Sequence, residues 1–274
     1  MRTLVVMAWT LGAIGAVAGL AGAQPKPATQ LAAHRGGALL WPENSLLAFR
    51  NAVALRADYI EFDVHLSKDG EVVVIHDPTL DRTTSGSGAV KDRTVAELKA
   101  LRLKDRAGAL TDETVPTLDE VAAVAAQGRR RMLLEIKLDP SRARYPSIEE
   151  KVLATLDRHA IAGSTIVMAF EAATWRRVRE LRPDVRACAL YSDRMLGRTT
   201  LATELEALRA AGVGFIGLEH TVVDAATVAQ AHKAGIQVGA WTANDAPAMK
   251  RLIDAGVDVL ITDQPDAAKA LLGR

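Results

Sequence analysis

The chain has 274 residues, 49% of them apolar and 24% charged, which is ordinary globular composition. Lysine and arginine number 34 against 33 acidic residues, a formal charge of +1; without Arg2, which falls in the leader read below, the count is 33 against 33. That balance argues against a nucleic-acid partner, and the length fits one large α/β domain or two small ones.

Residues 1–23 read as a secretory leader. Arg2 supplies a positive start, residues 4–20 form an apolar run, and Ala21-Gly22-Ala23 is a small-residue cleavage site. The run is near the lower limit for crossing a bilayer, and no later stretch is long enough to cross one. Cleavage after Ala23 is therefore expected, with a soft linker over residues 24–30 and a periplasmic or secreted chain lacking any stable membrane span. Cys188 is the single cysteine, so a disulfide within the chain is excluded, and it reads as a small buried hydrophobe.

From there, strand-like and helix-like stretches alternate. Residues 31–34 form a short strand, and Ser45 caps a helix to about residue 56 with Leu46, Phe49, Ala52 and Val53 on one face. Tyr59-Ile60-Glu61-Phe62-Asp63-Val64-His65 has the make-up of a buried strand, and Lys68-Asp69-Gly70 turns it into a hairpin partner over residues 71–75. Residues 78–115 interrupt the pattern with a Ser/Thr/Gly loop and a short amphipathic helix over 95–101, and read as an inserted cap over one end of the domain. Helices are then expected over 117–126, 147–159, 172–181, 201–211, 225–234, 246–255 and 265–272. They separate strands over 131–137, 165–170, 185–190, 213–218, 236–241 and 257–262. Gly212, Gly235 and Gly256 fall where helix ends favour glycine. Setting the hairpin partner aside, eight parallel strands in about 250 residues predict a (β/α)₈ TIM barrel. A doubly wound open sheet is the runner-up, but no glycine-rich phosphate loop follows the first strand.

Strand side chains alternate between faces, so Glu61, Asp63 and His65 share the face opposite Ile60, Phe62 and Val64. Two like charges about 5 Å apart repel by roughly 3 kcal/mol at an effective dielectric near 20. A divalent cation would remove that repulsion, and oxygen ligands suit Ca²⁺ or Mg²⁺; an arginine partner or solvent would serve as well. In a barrel, chemistry gathers at the carboxyl ends of the strands. Here those ends carry His34-Arg35, Glu61 with Asp63, His76, Glu135 with Lys137, Phe170, Glu219 and Trp241. Singly, Lys137 could simply neutralise Glu135, and either histidine could be a satisfied core residue. Jointly, three carboxylates, two histidines and two cations at successive strand ends outweigh those readings.

The ordered segments Ala33-His34-Arg35-Gly36-Gly37, Pro42-Glu43-Asn44-Ser45, Ile60-Glu61-Phe62-Asp63-Val64, Leu66-Ser67-Lys68-Asp69-Gly70, Val74-Ile75-His76-Asp77-Pro78, Leu133-Leu134-Glu135-Ile136-Lys137, Ala240-Trp241-Thr242 with Asn244, and Gly256-Val257-Asp258 to Ile261-Thr262-Asp263-Gln264-Pro265 span nearly all the mature chain. In this combination the chain resembles the glycerophosphodiester phosphodiesterase family. The resemblance implies a barrel over residues 31–274 with an insertion at 78–115, and metal-dependent hydrolysis of a small-molecule glycerophosphodiester to glycerol 3-phosphate and an alcohol. It implies a divalent cation on Glu61, Asp63 and Glu135, an acid/base pair in His34 and His76, Arg35 and Lys137 on the phosphate, and Asn44 in support. Trp241 matches an aromatic lining the pocket, and Phe170 and Glu219 are further substrate-side candidates. His65, His159 and His232 read as bystanders, and His220 is left open. Two departures stand out: Ala169 precedes Phe170 where the family often has serine, and Ala243 replaces a common valine.

Two alternatives compete with hydrolysis of water-soluble diesters. One is a lysophospholipase D or phospholipase C-like enzyme on the same barrel, which the absence of aromatic residues over 78–115 weighs against. The other is a non-catalytic glycerophosphodiester-binding protein, which the loss of a ligand or histidine would favour; none is lost.

Overall fold

The computed structural model describes residues 28–274, so the leader read over residues 1–23 and the start of the linker lie outside the described residues. In chain order the strands are β1 (Gln30–Ala33), β2 (Tyr59–Leu66), β3 (Val72–Val74), β4 (Arg102–Lys104), β5 (Leu110–Thr114), β6 (Arg131–Ile136), β7 (Thr165–Ala169), β8 (Arg186–Tyr191), β9 (Phe215–Glu219), β10 (Gln237–Trp241) and β11 (Val259–Thr262). The helices are α1 (Leu46–Ala54), α2 (Val95–Lys99), α3 (Leu118–Gly128), α4 (Ile148–Arg158), α5 (Ala172–Leu181), α6 (Asp193–Leu196), α7 (Leu201–Ala210), α8 (Ala225–Lys233), α9 (Ala246–Ala255) and α10 (Pro265–Leu271).

Eight of these strands run parallel, and β1 pairs with both β2 and β11, which closes the sheet into a barrel. β3 lies antiparallel on β2, and β4 with β5 makes a separate hairpin. The fold is the expected (β/α)₈ barrel. Its helices start where the sequence supplies caps: Ser45, Thr117, Thr200, Asp224 and Asp245 each accept the backbone N–H three residues on. Each such bond satisfies an otherwise orphaned donor and contributes about 1 kcal/mol.

Alternation along each strand divides the core in two. Ile60, Phe62, Val64, Leu134 and Val167 point outward and pack with the helices. Tyr59, Leu133, Ile166, Met168, Cys188, Leu190, Phe215, Val259 and Ile261 point inward and fill the barrel. Cys188 is the buried hydrophobe expected of it. Gly217 and Gly239 sit opposite each other on β9 and β10, and a Cβ at Gly217 would stand 2.4 Å from Leu190 Cδ2. These two positions leave inward space for the larger neighbours Leu190, Phe215 and Trp241.

A third apolar cluster of Val73, Ile75, Leu80, Val90, Leu98, Leu103 and Val115 seats the segment between β3 and α3 on the barrel. The β4–β5 hairpin in that segment and the short α6 have no counterpart in the sequence reading. Both hairpin strands are short and largely polar, and β5 carries no buried residue, so no alternation betrays them. Among the described residues, no helix is long and apolar enough to cross a membrane.

Candidate active site

The polar groups of the barrel mouth continue the inward-facing rows of the interior. Ala32 leads to His34, Tyr59 to Glu61 and Asp63, and Leu133 to Glu135 and Lys137. Met168 leads to Phe170, Gly239 to Trp241, and Ile261 to Asp263. An apolar plug thus passes, two residues at a time, into a polar rim. A cavity of about 170 Å³ opens there, with His34, Arg35, Glu61, His76, Glu135 and Lys137 on one side and Met168, Phe170, Leu190, Trp241 and Ile261 on the other. Phe170 and Trp241 meet edge to face with centroids 5.4 Å apart, and Trp241 Nε1 is buried without a partner.

Glu61, Asp63 and Glu135 each place one carboxylate oxygen within 4.8 Å of the others, and all three residues are buried. At that spacing each pair repels by about 3 kcal/mol at an effective dielectric near 20. Burial raises the Glu61 pKa, and the charges of Asp63 and Glu135 push it the same way. Burial also works against the Asp63 carboxylate, but Lys137, His76 and Arg35 outweigh it and hold its pKa well below the usual range. Asp63 Oδ2 accepts from Asn44 Nδ2 at 3.1 Å, while its buried Oδ1 accepts no hydrogen bond, nor does the buried Oδ1 of Asn44. Crowded acidic oxygens, with the unpartnered Oδ1 of Asn44 beside them, fit a hard divalent cation. Calcium and magnesium both suit such ligands.

Two cations frame the cluster. Lys137 Nζ lies 2.8 Å from Glu135 and 3.4 Å from Asp63. Burial disfavours its charge, but Glu135 and Asp63 raise its pKa above the ordinary value. Arg35 donates its backbone N–H to Glu61 and its Nη1 to Glu43, and its Nε stands 3.6 Å from Asp63. The left-handed backbone of Arg35 and Asn44, at φ 51° and 57°, aims both side chains at the carboxylates.

Each imidazole is tied at Nδ1 to an aspartate: His34 to Asp263 at 2.6 Å, and His76 to Asp77 at 2.7 Å. Their Nε2 atoms serve the cavity, His34 at 3.9 Å from Glu61 and His76 at 3.2 Å from Lys137 Nζ. Because the lysine ammonium can only donate, Nε2 of His76 accepts, and its proton sits on Nδ1 toward Asp77. Burial lowers the His76 pKa, Lys137 and Arg35 lower it further, and Asp63 and Asp77 recover only part. Burial also opposes charge on His34, but Glu61 and Asp263 reverse the balance and raise its pKa.

Asp77 and Asp263 are the groups the sequence reading passed over, although both stand in its motif segments. Asp77 follows His76 directly, and Asp263 is the next inward position after Ile261. Asn244 steadies Asp263 by donating to its Oδ2 at 2.6 Å. His65, read as a bystander, stays out of the cavity wall, yet its Nε2 holds the backbone carbonyl of His76 at 3.0 Å and its Nδ1 meets the Tyr145 hydroxyl at 3.0 Å. His159 and His232 pair with Asp119 and Asp258 away from the cavity. His220 also stands outside the wall, its Nδ1 buried without a partner. Glu219 lies off the wall as well, its carboxylate accepting the Asp193 N–H at 2.9 Å. Of the two departures from the family's pattern, Ala169 and Ala243 both pack in the helix layer rather than on the cavity wall.

Comparison with known proteins identifies the family and the fold. The model of the glycerophosphoryl diester phosphodiesterase family matches residues 34–267. A glycerophosphodiester phosphodiesterase of Caldanaerobacter subterraneus is 35% identical, covering 87% of this chain and 95% of that protein. Among solved structures, a putative glycerophosphoryl diester phosphodiesterase from Agrobacterium tumefaciens superposes with a TM-score of 0.84 at 30% identity, over 90% of this chain and 98% of the other. An Oleispira antarctica phosphodiesterase, in complex with the product sn-glycerol-3-phosphate, gives a TM-score of 0.78 at 26% identity over 90% and 98%.

Proposed function

The chain belongs to the glycerophosphoryl diester phosphodiesterase family and is an enzyme, and on that premise we propose that it hydrolyses glycerophosphodiesters to glycerol 3-phosphate and an alcohol. In this reading Glu61, Asp63 and Glu135 hold a divalent cation, His76 is the general base and His34 the general acid. One observation carries it: two aspartate-anchored imidazoles with opposite pKa shifts share a cavity with three crowded carboxylates. The product bound to the Oleispira antarctica relative supports the glycerol 3-phosphate half.

The chemistry follows from the residues. A phosphodiester gathers negative charge on its equatorial oxygens as it reacts, and Arg35 and Lys137 are placed to stabilise that charge. Bound at the carboxylates, the cation would neutralise them and act as a Lewis acid toward the phosphoryl oxygens. As Lys137 turns from His76 to the phosphate, it frees Nε2 of His76 to take the proton of the attacking hydroxyl. His34, charged through Glu61 and Asp263, gives its proton to the departing alkoxide. Water can attack directly; alternatively the glycerol 2-hydroxyl attacks first, and the cyclic phosphate is opened by water with the histidine roles exchanged. Trp241 offers its unpaired N–H, and Phe170 an apolar face, to the glycerol carbons and hydroxyls.

Release of glycerol 3-phosphate from glycerophosphocholine, measured on chelated and then Ca²⁺- or Mg²⁺-reconstituted protein, tests this proposal. Turnover that requires the ion is expected, and tight substrate binding without turnover would favour the non-catalytic alternative instead. Running lysophosphatidylcholine alongside separates the lipid-cleaving alternative. The composition of residues 1–23 supports action in the periplasm or outside the cell, which the mature N-terminus, expected at Gln24, would check.

A further inference from the structure

A second groove, of about 500 Å³, adjoins the catalytic cavity and shares Phe170 with it as a wall. Its other lining residues are Arg142, Ser192, Arg194, Met195 and Arg198. It is built by the segments that follow β6, β7 and β8, three neighbouring strands of the barrel. We propose that this groove is a subsite for a phosphate carried by the alcohol half of the substrate. The inference deepens the proposed function and rests on it.

Charge is the first argument. None of the three guanidiniums has a carboxylate partner among the described residues, and no acidic side chain lines the groove. On the other flank of the catalytic cavity, a groove of about 470 Å³ also holds cations, but Glu43, Asp105 and Asp263 line it with them. There Arg35 and Arg82 both bind Glu43, and Arg82 also binds Asp77. The Arg142–Arg194–Arg198 groove, by contrast, presents its cations with no acidic residue in its lining. Guanidinium groups bind phosphate bidentately, and three on one groove, supplied by two segments, can hold one.

Position is the second argument. The glycerol phosphate half is common to every diester of this class, so a groove beside the catalytic cavity can discriminate only through the other alcohol. Phe170 is the residue at which the two spaces meet, and its ring lies 6.0 Å from Lys137 Nζ, the cation assigned to the scissile phosphate. A leaving group passing along Phe170 would carry a second phosphate toward the arginines.

A matched pair of substrates tests the assignment: glycerophosphoinositol and glycerophosphoinositol 4-phosphate, which differ only by one phosphate on the leaving alcohol. The wild-type enzyme should prefer the phosphorylated diester by about tenfold in kcat/KM at low salt, mainly through KM, and the preference should shrink as salt rises. The triple variant Arg142→Ala/Arg194→Ala/Arg198→Ala should bring the ratio near one, and Arg194→Glu/Arg198→Glu should turn it against the phosphorylated diester. The readout is a ratio within one protein, so a general loss of activity cannot mimic it. A ratio of one or below in the wild type, or an unchanged ratio in the triple variant, overturns the subsite while leaving the proposed function standing. If the wild type cleaves neither inositol diester but releases glycerol 3-phosphate from glycerophosphocholine, the subsite falls and the proposed function stands; if it cleaves none of the three, both fall.

Discussion

His34 and His76 bring the same imidazole into one cavity, yet their neighbours separate them. Burial lowers both pKa values, but Glu61 and Asp263 more than restore that of His34, whereas Lys137 and Arg35 depress His76 further. A base must be neutral and an acid charged, so activity lies between the two values. Falling pH protonates His76 and closes the acid side; rising pH discharges His34 and closes the alkaline side. A bell-shaped kcat/KM profile is expected, with its acid limb below and its alkaline limb above the ordinary histidine value near 6.5. Either histidine→Ala variant should lose at least about two orders of magnitude in turnover. His34→Ala should recover much of that loss on a diester with a nitrophenol leaving group, which needs no acid, and His76→Ala should not. The opposite pattern would exchange their roles. Asp263→Asn should cost about ten- to a hundredfold and move the alkaline limb down, because the imidazolium loses its partner. The sequence made the carboxylates and cations legible at this scale, since alternation along β2 and β6 puts them on one face. Asp263 was not legible in its role, because its contact with His34 spans 229 positions and exists only once the barrel closes. The bond from His65 to the backbone carbonyl of His76 was not legible either, because no side-chain pattern records it.

A helix start was readable at Ser45 because cap and first turn are adjacent in sequence. The β4–β5 hairpin was not, because its strands bury little and so leave no periodic trace. The turn between β1 and α1 is the element on which the site depends most. Gly36 has φ +81°, and a Cβ there would lie 2.7 Å from Ala48 Cβ and 3.0 Å from that residue's backbone carbon. Backbone cannot move aside as a side-chain tip can. Gly36→Ala should therefore cost about 2–4 kcal/mol and lower activity too, since Arg35 and its bond to Glu61 ride on the same turn. Gly70→Ala is the control: φ is +80°, but a Cβ would meet only the end of the Lys151 side chain, at 3.4 Å. Its cost should be about 1 kcal/mol. Thermal melts of the two variants decide whether the close approach or the dihedral alone matters.

For the molecule as a whole, the barrel was predictable from repeated strand and helix patterns, because inward and outward faces both need apolar residues below the rim. What the pattern withheld was how unevenly the neighbours relieve the repulsion at the mouth, Asp63 being favoured as a carboxylate and Glu61 disfavoured. Burial and the charges of Asp63 and Glu135 raise the Glu61 pKa, so its carboxylate opposes folding until a cation joins it. Calcium or magnesium should raise the melting temperature by several degrees, in proportion to the logarithm of its concentration. Glu61→Gln should melt a few degrees above the wild type when both are cation-free, and respond little to added ion. An equal response to the ion in that variant would place the ion elsewhere. Closure of the ring has its own consequence. His34 extends the first strand and its aspartate follows the last, so the charged imidazole is assembled by the final seam of the fold. Catalytic competence is thus a gauge of topological completion: during refolding, turnover should appear no sooner than the β1–β11 seam, and every earlier intermediate should be silent toward substrate.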